Sequence, residues 1–360
     1  MAAALQITGI SRHFGRVRAL DGVTLALEEG QITAVLGPPG SGKTNLINII
    51  AGFDRGYRGA VTMGRAPMDD VPAHKRGFGV VQQGDAFFPN LNLRENIALP
   101  LKLRGIARVA REKLVDTAID LAELGAAALF PPAQASAGEL QRAALARAAV
   151  HEPRVLLLDE PCADQHGHAR AAMLGAIARL HRVLGATTLI VTRDDAAALA
   201  LADRLAVLRE GRIIAAGTPE DLYNRPETAA VAALIGQSSR FAGTIVDVDD
   251  DTVRIKLDCG PEVDGAAYSG AQAGARCRLF IRPERVAVAA TTAAEMSESA
   301  VDATVIEARF CGEHNMMRLL IGSGAELVAS RPAAAGMRGF KPGNAAAVAW
   351  QPHHTLVFPG

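Results

Sequence analysis

The residues GPPGSGKT, at positions 37–44, follow an apolar run and have the spacing G-x-x-x-x-G-K-S/T. In such a loop the glycines let backbone N–H groups surround phosphate oxygens, and the helix that follows points its positive N-terminal end at them. The lysine reaches the β- and γ-phosphates, and the final hydroxyl group binds Mg²⁺. The alternative is a chance glycine-rich turn, which the strand before and the helix after disfavour. We expect a nucleotide to be bound by Gly37, Pro38, Pro39, Gly40, Ser41, Gly42, Lys43, Thr44 and Asn45.

An acidic pair ends a second apolar run, RVLLLDEP, which begins at Arg154. Asp159 can bind the Mg²⁺ shell, and Glu160 can polarise a water molecule for attack on a phosphate. The alternative is an ordinary acidic turn after a strand. Beside the phosphate loop, the pair favours hydrolysis of a nucleoside triphosphate.

A fixed positive charge follows a third apolar run, in the stretch TTLIVTRDD that begins at Thr187. Arginine only donates hydrogen bonds and stays charged at any usable pH. Arg193 could bind a phosphate through two donors. It could instead pair with Glu160, be held away by Asp194 and Asp195, or be a plain surface residue.

The elements that must position these residues are short apolar runs separated by Ala- and Leu-rich stretches, over about the first 235 residues. This pattern predicts a parallel sheet covered on both faces, with strands in QITAVL, GFGVVQ, RVLLLD and TTLIVT. The stretch RLAVLREGRIIAAG predicts a hairpin that turns at Glu210 and Gly211.

From about residue 236 the pattern changes to alternating apolar and polar residues, as in FAGTIVDVDDDTVRIKLDCG. Such short strands predict an all-β barrel or sandwich. Two similar lobes could meet near residues 295–300, where ATTAAEMSESA is predicted to be a loop. We place the domain boundary at about 236–240.

Composition limits the class of protein. The chain has 360 residues, of which 49% are hydrophobic, and its 38 basic residues balance 38 acidic ones. We therefore expect two or three domains with real cores and no nucleic-acid partner. The four cysteines form no CxxC pair, which is typical of a reducing compartment. No signal peptide is visible, and no apolar run approaches the roughly 18–20 residues of a spanning helix.

Over nearly its whole length the chain resembles the ATP-binding subunits of ATP-binding-cassette (ABC) importers, in the spermidine/putrescine, ferric-iron and phosphonate group. HFGRVRALDG resembles the opening of the cassette and places Phe14 where an aromatic ring stacks on adenine, although Phe14 could be a core residue. VVQQGDAFFPNLNLREN resembles the Q-loop segment, in which Gln83 rather than Gln82 would contact Mg²⁺ and water. LFIRPERVAV resembles the appended OB domain.

The resemblance implies an α/β P-loop NTPase fold, an ABC cassette with a RecA-like core and a helical subdomain, followed by an all-β OB-like (TOBE-type) domain. The cassette would span residues 1–236, with the helical subdomain at about 88–150. Residues 237–360 would form the regulatory β domain.

Three sites depart from the family pattern. The family signature L-S-G-G-Q-x-Q-R is ASAGELQR here, so Ser136 and Gly138 are kept while Ala137 and Glu139 replace glycine and glutamine. In the family this segment contacts ATP held by the opposite subunit, and both changes should weaken that contact. In EPCADQHGH, His166 replaces the aspartate that links the two sites. Arg193 replaces the family's switch histidine.

The resemblance implies an ATPase that powers a binding-protein-dependent importer of a polyamine-like, iron or phosphonate substrate, with ATP and Mg²⁺ as cofactors. The alternative is a weakly or non-hydrolysing regulatory cassette, paired with a competent sister subunit. Expected partners are a second cassette, a permease that contacts residues 83–100 and, indirectly, a substrate-binding protein, at the cytoplasmic face of the membrane. The catalytic residues would be Glu160, Arg193 and Gln83, the Mg²⁺ ligands Thr44, Gln83 and Asp159, and the further nucleotide contacts Phe14, Ser136 and Gly138.

Overall fold

A computed structural model describes residues 3–84, 86–163, 165–296 and 299–360. Its contacts divide the chain into two compact units, with the division between Pro219 and Glu220. The division lies at the first residue of the helix Pro219–Asn224, so this helix and the following one, Ala229–Leu234, fall in the second unit, although the sequence analysis assigned both to the first domain. The second of these helices belongs with the second unit because its Ala232 is buried against Phe280 and Phe358. The first belongs with it because the Tyr223 hydroxyl group donates a hydrogen bond to Oε1 of Glu284 at 2.7 Å.

The first unit contains the predicted parallel sheet. Its described strands lie in the order Arg212–Gly217, Arg204–Arg209, Ile32–Leu36, Thr187–Thr192, Val155–Asp159 and Gly79–Val81. All neighbours are parallel except the first two strands, which form the predicted hairpin. Both hairpin-turn residues, Glu210 and Gly211, have positive φ, as a two-residue type I′ turn requires. The four predicted strands are confirmed.

The three central strands are buried at every position, which explains their near-continuous apolar sequences. Leu36 pairs with Thr192, and Asp159 pairs with Val191. Because these strands are parallel, the segments that leave their carboxyl ends start side by side. Ligands of open α/β sheets bind at this edge. The sheet therefore brings the phosphate loop, Glu160 and Arg193 together.

A second, antiparallel sheet of the first unit was not predicted. Its described strands lie in the order Val17–Glu28, Ala3–Phe14, Arg58–Met63 and Ala66–Pro67. The pairing of Ala3–Phe14 with Arg58–Met63 joins segments far apart in sequence, which local periodicity does not report.

The helices of the first unit cover the parallel sheet and form a separate helical segment. They span Lys43–Ala51, Ala73–Arg76, Leu93–Leu103, Arg108–Leu121, Ala137–Ala149, Gly167–Leu184 and Asp195–Leu201, with 3₁₀ turns at Gly125–Leu129 and Pro132–Gln134. Buried side chains of the helices between residues 93 and 149 form their own core, in which Leu93, Ile97 and Leu101 pack against Val115 and Ile119.

The second unit is β-rich, as predicted, and holds two antiparallel sheets in its described part. One sheet has the order Glu262–Ala266, Thr252–Leu257, Ser239–Val248, Arg276–Ile281 and Thr355–Pro359. The other has the order Ala287–Ala289, Ala345–Ala349, Val301–Phe310, His314–Ile321 and Ala325–Pro332. Inward side chains of both sheets share one core.

Short helical pieces connect the strands of the second unit. Helices span Pro219–Asn224, Ala229–Leu234 and Ala293–Met296, and 3₁₀ turns span Pro283–Arg285, Ala333–Ala335 and Pro352–His354. The helix at Ala293–Met296 corrects the prediction of a plain loop between the lobes; Ser297 and Glu298 lie outside the described residues. None of the described helices has both the length and the apolar character that crossing a bilayer requires.

Candidate functional site: a nucleotide cavity at the edge of the parallel sheet

The phosphate loop connects a buried strand to the N-terminus of the helix Lys43–Ala51. Gly40 and Gly42 have φ of 78° and 103°, in the left-handed region that glycine adopts without strain. A Cβ atom at Gly42 would also collide with the backbone carbonyl oxygen of Ala19 and lie 2.7 Å from Cδ2 of Leu20, so this position is closed to larger residues. The loop is thus held in a tight turn whose last residues enter the helix.

Lys43 is buried beneath the loop. Its Nζ atom donates hydrogen bonds to the carbonyl oxygens of Gly37 and Pro38, at 2.8 and 3.0 Å, and lies 3.7 Å from Oε1 of Glu160. Burial lowers the pKa of Lys43, and the negative charges of Glu160 and Asp159 oppose that shift. The ammonium group therefore lies in a pocket where phosphate oxygens would stabilise its charge.

Asp159 is the last residue of its strand and is buried. Burial raises the pKa of Asp159, and a hydrogen bond from the Thr44 side chain partly offsets this. The described part of the chain provides no hydrogen-bond donor for its Oδ1 atom. A buried carboxylate oxygen beside a threonine hydroxyl group is the kind of hard oxygen pair that Mg²⁺ prefers.

Glu160 is held by the neighbouring strand. Its φ of 48° is unusual for a residue other than glycine, and its N–H donates to the carbonyl oxygen of Val191 at 2.9 Å. Its Oε2 atom accepts hydrogen bonds from the Thr192 hydroxyl group and the Arg193 backbone amide, each at 3.1 Å. One carboxylate oxygen is thereby oriented, while the other faces Lys43.

A cavity of about 250 Å³ collects most of the predicted site residues. The lining is formed by Pro39, Gly40, Gly42, Lys43, Thr44, Asn45, Gln83, Glu160 and Arg193. Gln82, by contrast, donates from its Nε2 atom to Oδ1 of Asn48 at 2.9 Å. Of the two glutamines, Gln83 is thus the one that lines this cavity.

Arg193 lines this cavity with an exposed side chain. Asp194, one of the residues considered as its partner, accepts two hydrogen bonds of 2.9 Å from the guanidinium group of Arg170. Its Oδ1 atom also caps the next helix by accepting from Ala197 N. Sequence analysis missed Arg170 because it lies on a different helix, without any local motif.

Six of the predicted nucleotide contacts are not among the described residues that line the cavity: Phe14, Gly37, Pro38, Ser41, Ser136 and Gly138. Phe14 ends its strand with 47% of its surface exposed, and the guanidinium carbon of Arg12 lies 4.2 Å from its ring centroid. Ser136 and Gly138 lie at the start of the helix Ala137–Ala149.

Ser136 and Glu139 form a capping box. The backbone N–H and the hydroxyl group of Ser136 each donate to Oε2 of Glu139 at 2.7 Å, and Glu139 N donates back to Ser136 Oγ at 3.3 Å. The hydrogen bonds from Ser136 lower the pKa of Glu139. The S-x-x-E spacing of the sequence could have revealed this pair.

In the EPCADQHGH segment, His166 is the residue before the helix Gly167–Leu184. The neighbouring Asp164, like Asp85 after the Q-loop glutamine, lies outside the described residues.

The phosphate loop, the acidic pair and Arg193 all lie at the carboxyl ends of the strands of one parallel sheet, and a helical segment is inserted in the same unit. This fold and this cavity define a nucleotide-hydrolysing cassette. Comparison with known proteins agrees. Residues 20–163 match the ABC transporter family, and residues 279–358 match the TOBE domain.

Relatives that match over nearly the full chain show to which group of ABC proteins it belongs. A spermidine/putrescine import ATP-binding protein of Pseudomonas aeruginosa is 34% identical over 349 residues, 96% of each chain. One from Rubrobacter xylanophilus is 33% identical over 359 residues, 99% of this chain and 94% of its own. The chain therefore belongs to the family of ABC importer ATP-binding subunits that includes the spermidine/putrescine import proteins.

Solved structures support the cassette fold. The dimeric post-hydrolysis structure of the ATP-binding cassette MJ0796 with ADP and Pi has a TM-score of 0.54 and 27% identity, and it covers 60% of this chain and 98% of its own. A second dimeric structure of this cassette has a TM-score of 0.55. The predictions of fold class, of an ABC ATPase and of an importer subunit are confirmed.

Proposed function

We propose that this subunit binds Mg-ATP in the cavity at the phosphate loop and hydrolyses it to power uptake of a polyamine. The observation that carries the proposal is the convergence of Lys43, Thr44, Gln83 and Glu160 on one cavity, with Asp159 buried beside Thr44. The polyamine is favoured because full-length relatives carry that substrate in their names.

Binding of the triphosphate follows from the loop. Backbone N–H groups at the start of the helix, together with its dipole, attract the β- and γ-phosphates. Lys43 exchanges its bonds to the Gly37 and Pro38 carbonyl groups for bonds to phosphate oxygens. Phe14, at the end of its strand, would stack on the adenine ring.

The Mg²⁺ ligands would be the Thr44 hydroxyl group, Gln83 and Asp159. When bound, the ion neutralises charge that develops on the phosphate oxygens. Asp159 fits this role because its buried Oδ1 atom has no donor among the described residues.

Glu160 would act on the attacking water. The Thr192 hydroxyl group and the Arg193 amide fix one of its oxygens, which leaves the other to accept a hydrogen bond from water. The Arg193 guanidinium group, at the cavity wall, would donate to the γ-phosphate and stabilise its charge in the transition state.

A second cassette, either another copy or a sister subunit, would complete the site through Ser136 and Gly138. The proposal of a second cassette is supported by the dimeric state of the similar cassette structures. Residues 83–100 would contact the permease at the cytoplasmic face of the membrane, and the substrate-binding protein would act through that permease. The second unit would serve subunit contact and regulation.

Two measurements test this function. Equilibrium titration with Mg-ATP should give saturable binding to the wild type and to Lys75→Ala, an exposed lysine outside the cavity, but not to Lys43→Ala. In vesicles that contain the permease, spermidine with its binding protein should stimulate ATP hydrolysis. Binding that survives Lys43→Ala would contradict the nucleotide site, and stimulation by iron or phosphonate alone would contradict the substrate.

A further inference from the structure

The ring of Phe14 is covered by an arginine on one face and yet belongs to an exposed residue. The guanidinium carbon of Arg12 lies 4.2 Å from the ring centroid. In the other guanidinium–aromatic contacts between described residues, the rings are buried or half-buried: Phe87, Tyr223, Phe280 and Phe340. Phe14 therefore combines a fixed face with ring surface that remains available to a ligand.

The guanidinium group of Arg12 is itself held in place. Its Nε atom donates to Oδ2 of Asp54, and its Nη1 atom donates to the carbonyl oxygen of Gly56, each at 2.7 Å. Asp54 Oδ1 accepts the backbone N–H of Gly56 at 2.8 Å, which ties the two acceptors together. The side chains of Arg12 and Asp54 are only 21% and 19% exposed, so water screens this pair less than a pair at the open surface.

The acceptors of Arg12 are attached to the phosphate-loop helix, Lys43–Ala51. The backbone N–H of Asp54 donates to the carbonyl oxygen of Asn48, in the last turn of that helix, at 3.1 Å. Arg12 thus connects the C-terminal end of this helix to the Phe14 ring. The N-terminal end of the same helix is the one that would bind the phosphates.

The strand that carries Arg12 also passes beside the phosphate loop. Arg12 pairs with Leu20, and Leu20 Cδ2 and the carbonyl oxygen of Ala19 lie directly against Gly42. Phe14 follows two residues after Arg12, which is roughly 7 Å further along a strand. A ribose would span this gap between phosphates at the loop and a base at the ring.

Gly56 is small where the guanidinium group of Arg12 needs the space. A Cβ atom at Gly56 would lie 2.7 Å from Arg12 Nη1 and 2.9 Å from its Cζ atom, closer than such contacts allow. The φ of Gly56 is not positive, so the backbone accepts alanine without strain. Gly56→Ala would therefore push the guanidinium group from its place without removing its charge.

We infer that Arg12 is a positioning residue for the nucleotide base: it fixes one face of the Phe14 ring so that adenine stacks on the other. This inference rests on the proposed ATP site. Arg12 acts through Phe14 and does not itself contact the base. A ring that is already held in its stacking orientation loses less freedom when the nucleotide binds, so Arg12 contributes to the affinity for ATP.

Equilibrium titration with Mg-ATP tests the role of Arg12. Arg12→Met should bind Mg-ATP about threefold to tenfold more weakly, the usual cost of ordering one side chain on binding. In steady-state assays it should raise the KM for ATP more than it lowers kcat. Gly56→Ala should weaken binding in the same direction, because it displaces the guanidinium group. Arg16→Met removes an equal charge from the exposed turn after Phe14 and should leave binding unchanged.

Phe14→Ala separates positioning of the ring from a general structural role. Phe14→Ala should weaken binding by itself, and Arg12→Met should then cause no further loss, because residues that act through one another are not additive. The inference is overturned if Phe14→Ala, Arg12→Met or Gly56→Ala binds as the wild type does. It is also overturned if the losses of Phe14→Ala and Arg12→Met add, since damage to the phosphate-loop helix would do so. A wild type that fails to bind Mg-ATP would instead contradict the proposed function.

Discussion

The hydroxyl group of Thr192 donates a hydrogen bond to Oε2 of Glu160 across 3.1 Å, and so joins the ends of two neighbouring strands. The same oxygen of Thr192 accepts the backbone N–H of Asp194 at 2.9 Å. One buried threonine thus orients the carboxylate that would act on water and fixes the turn that carries Arg193.

Thr192→Val should therefore lower kcat for ATP hydrolysis more than it changes the KM for ATP. Valine keeps the shape and the β-branching but removes both hydrogen bonds, so Glu160 loses one of its two orienting donors. The unfulfilled Asp194 N–H should also cost about 1–3 kcal/mol in the free energy of unfolding. Steady-state ATPase assays and urea titration measure the two effects, and an unchanged kcat would show that the hydroxyl group does not orient Glu160.

Arg193→Ala should lower kcat by about 10²–10³, the usual effect of losing one transition-state donor. The substitution isolates the guanidinium group, because the bond to Glu160 comes from the backbone amide of Arg193 and persists in alanine. Mg-ATP binding should change little. If Arg193→Ala keeps full activity, Arg193 is a surface residue without a role in hydrolysis.

Arg193→His gives the companion measurement. Histidine can both donate and accept hydrogen bonds, whereas arginine only donates. If the wild type is nearly inert and Arg193→His becomes active, the chain fits the alternative of a weakly hydrolysing cassette; equal activity would assign both side chains the same role.

The sequence was informative where chemistry is local. The phosphate loop, the acidic pair and the buried parallel strands could be predicted because spacing and continuous apolarity suffice for them. The pairing of Ala3–Phe14 with Arg58–Met63 and the contact of Arg170 with Asp194 could not, because both join distant segments. The S-x-x-E spacing predicts the capping box of Ser136 and Glu139. The family pattern instead led to the interpretation of Glu139 only as a negative charge in place of glutamine.

The Arg170–Asp194 pair should give stability that depends on pH. Burial raises the pKa of Asp194, but hydrogen bonds from Arg170 and the Ala197 amide outweigh this and leave it below the ordinary value of 3.8. A folded-state pKa that is depressed contributes stability above the unfolded-state value and loses it as pH falls through the folded-state value. The contribution should therefore be complete at neutral pH and decline below about pH 3.8.

Asp194→Asn isolates this ion pair, because asparagine keeps the cap on the helix Asp195–Leu201. At pH 7 the variant should be less stable by about 1 kcal/mol, as expected for a partly exposed bidentate pair. Urea titrations from pH 7 to pH 3 should show the difference between variant and wild type shrinking below pH 4. A difference that stays constant over this range would exclude the ion pair as its source.

Glu139→Gln should strengthen ATP-dependent association of two cassettes. In the present structure the Ser136 hydroxyl group donates its proton to Glu139, so a triphosphate held by the opposite cassette would meet a carboxylate there. Glutamine removes the charge and still completes a capping box, so the helix should lose less than about 1 kcal/mol. Removing roughly 1 kcal/mol of repulsion, the value for unit charges near 4 Å in water, corresponds to about fivefold tighter association.

Glu95→Gln is the matched control for that substitution, because Asn92 and Glu95 form the same capping box at the helix Leu93–Leu103. Sedimentation of hydrolysis-deficient Glu160→Gln cassettes in Mg-ATP should show more dimer when Glu139→Gln is added, and no change when Glu95→Gln is added. Equal gains in both variants would point to a general effect of lost negative charge. No gain in either would mean that Glu139 does not oppose the nucleotide, and that another departure, such as Ala137, limits the contact.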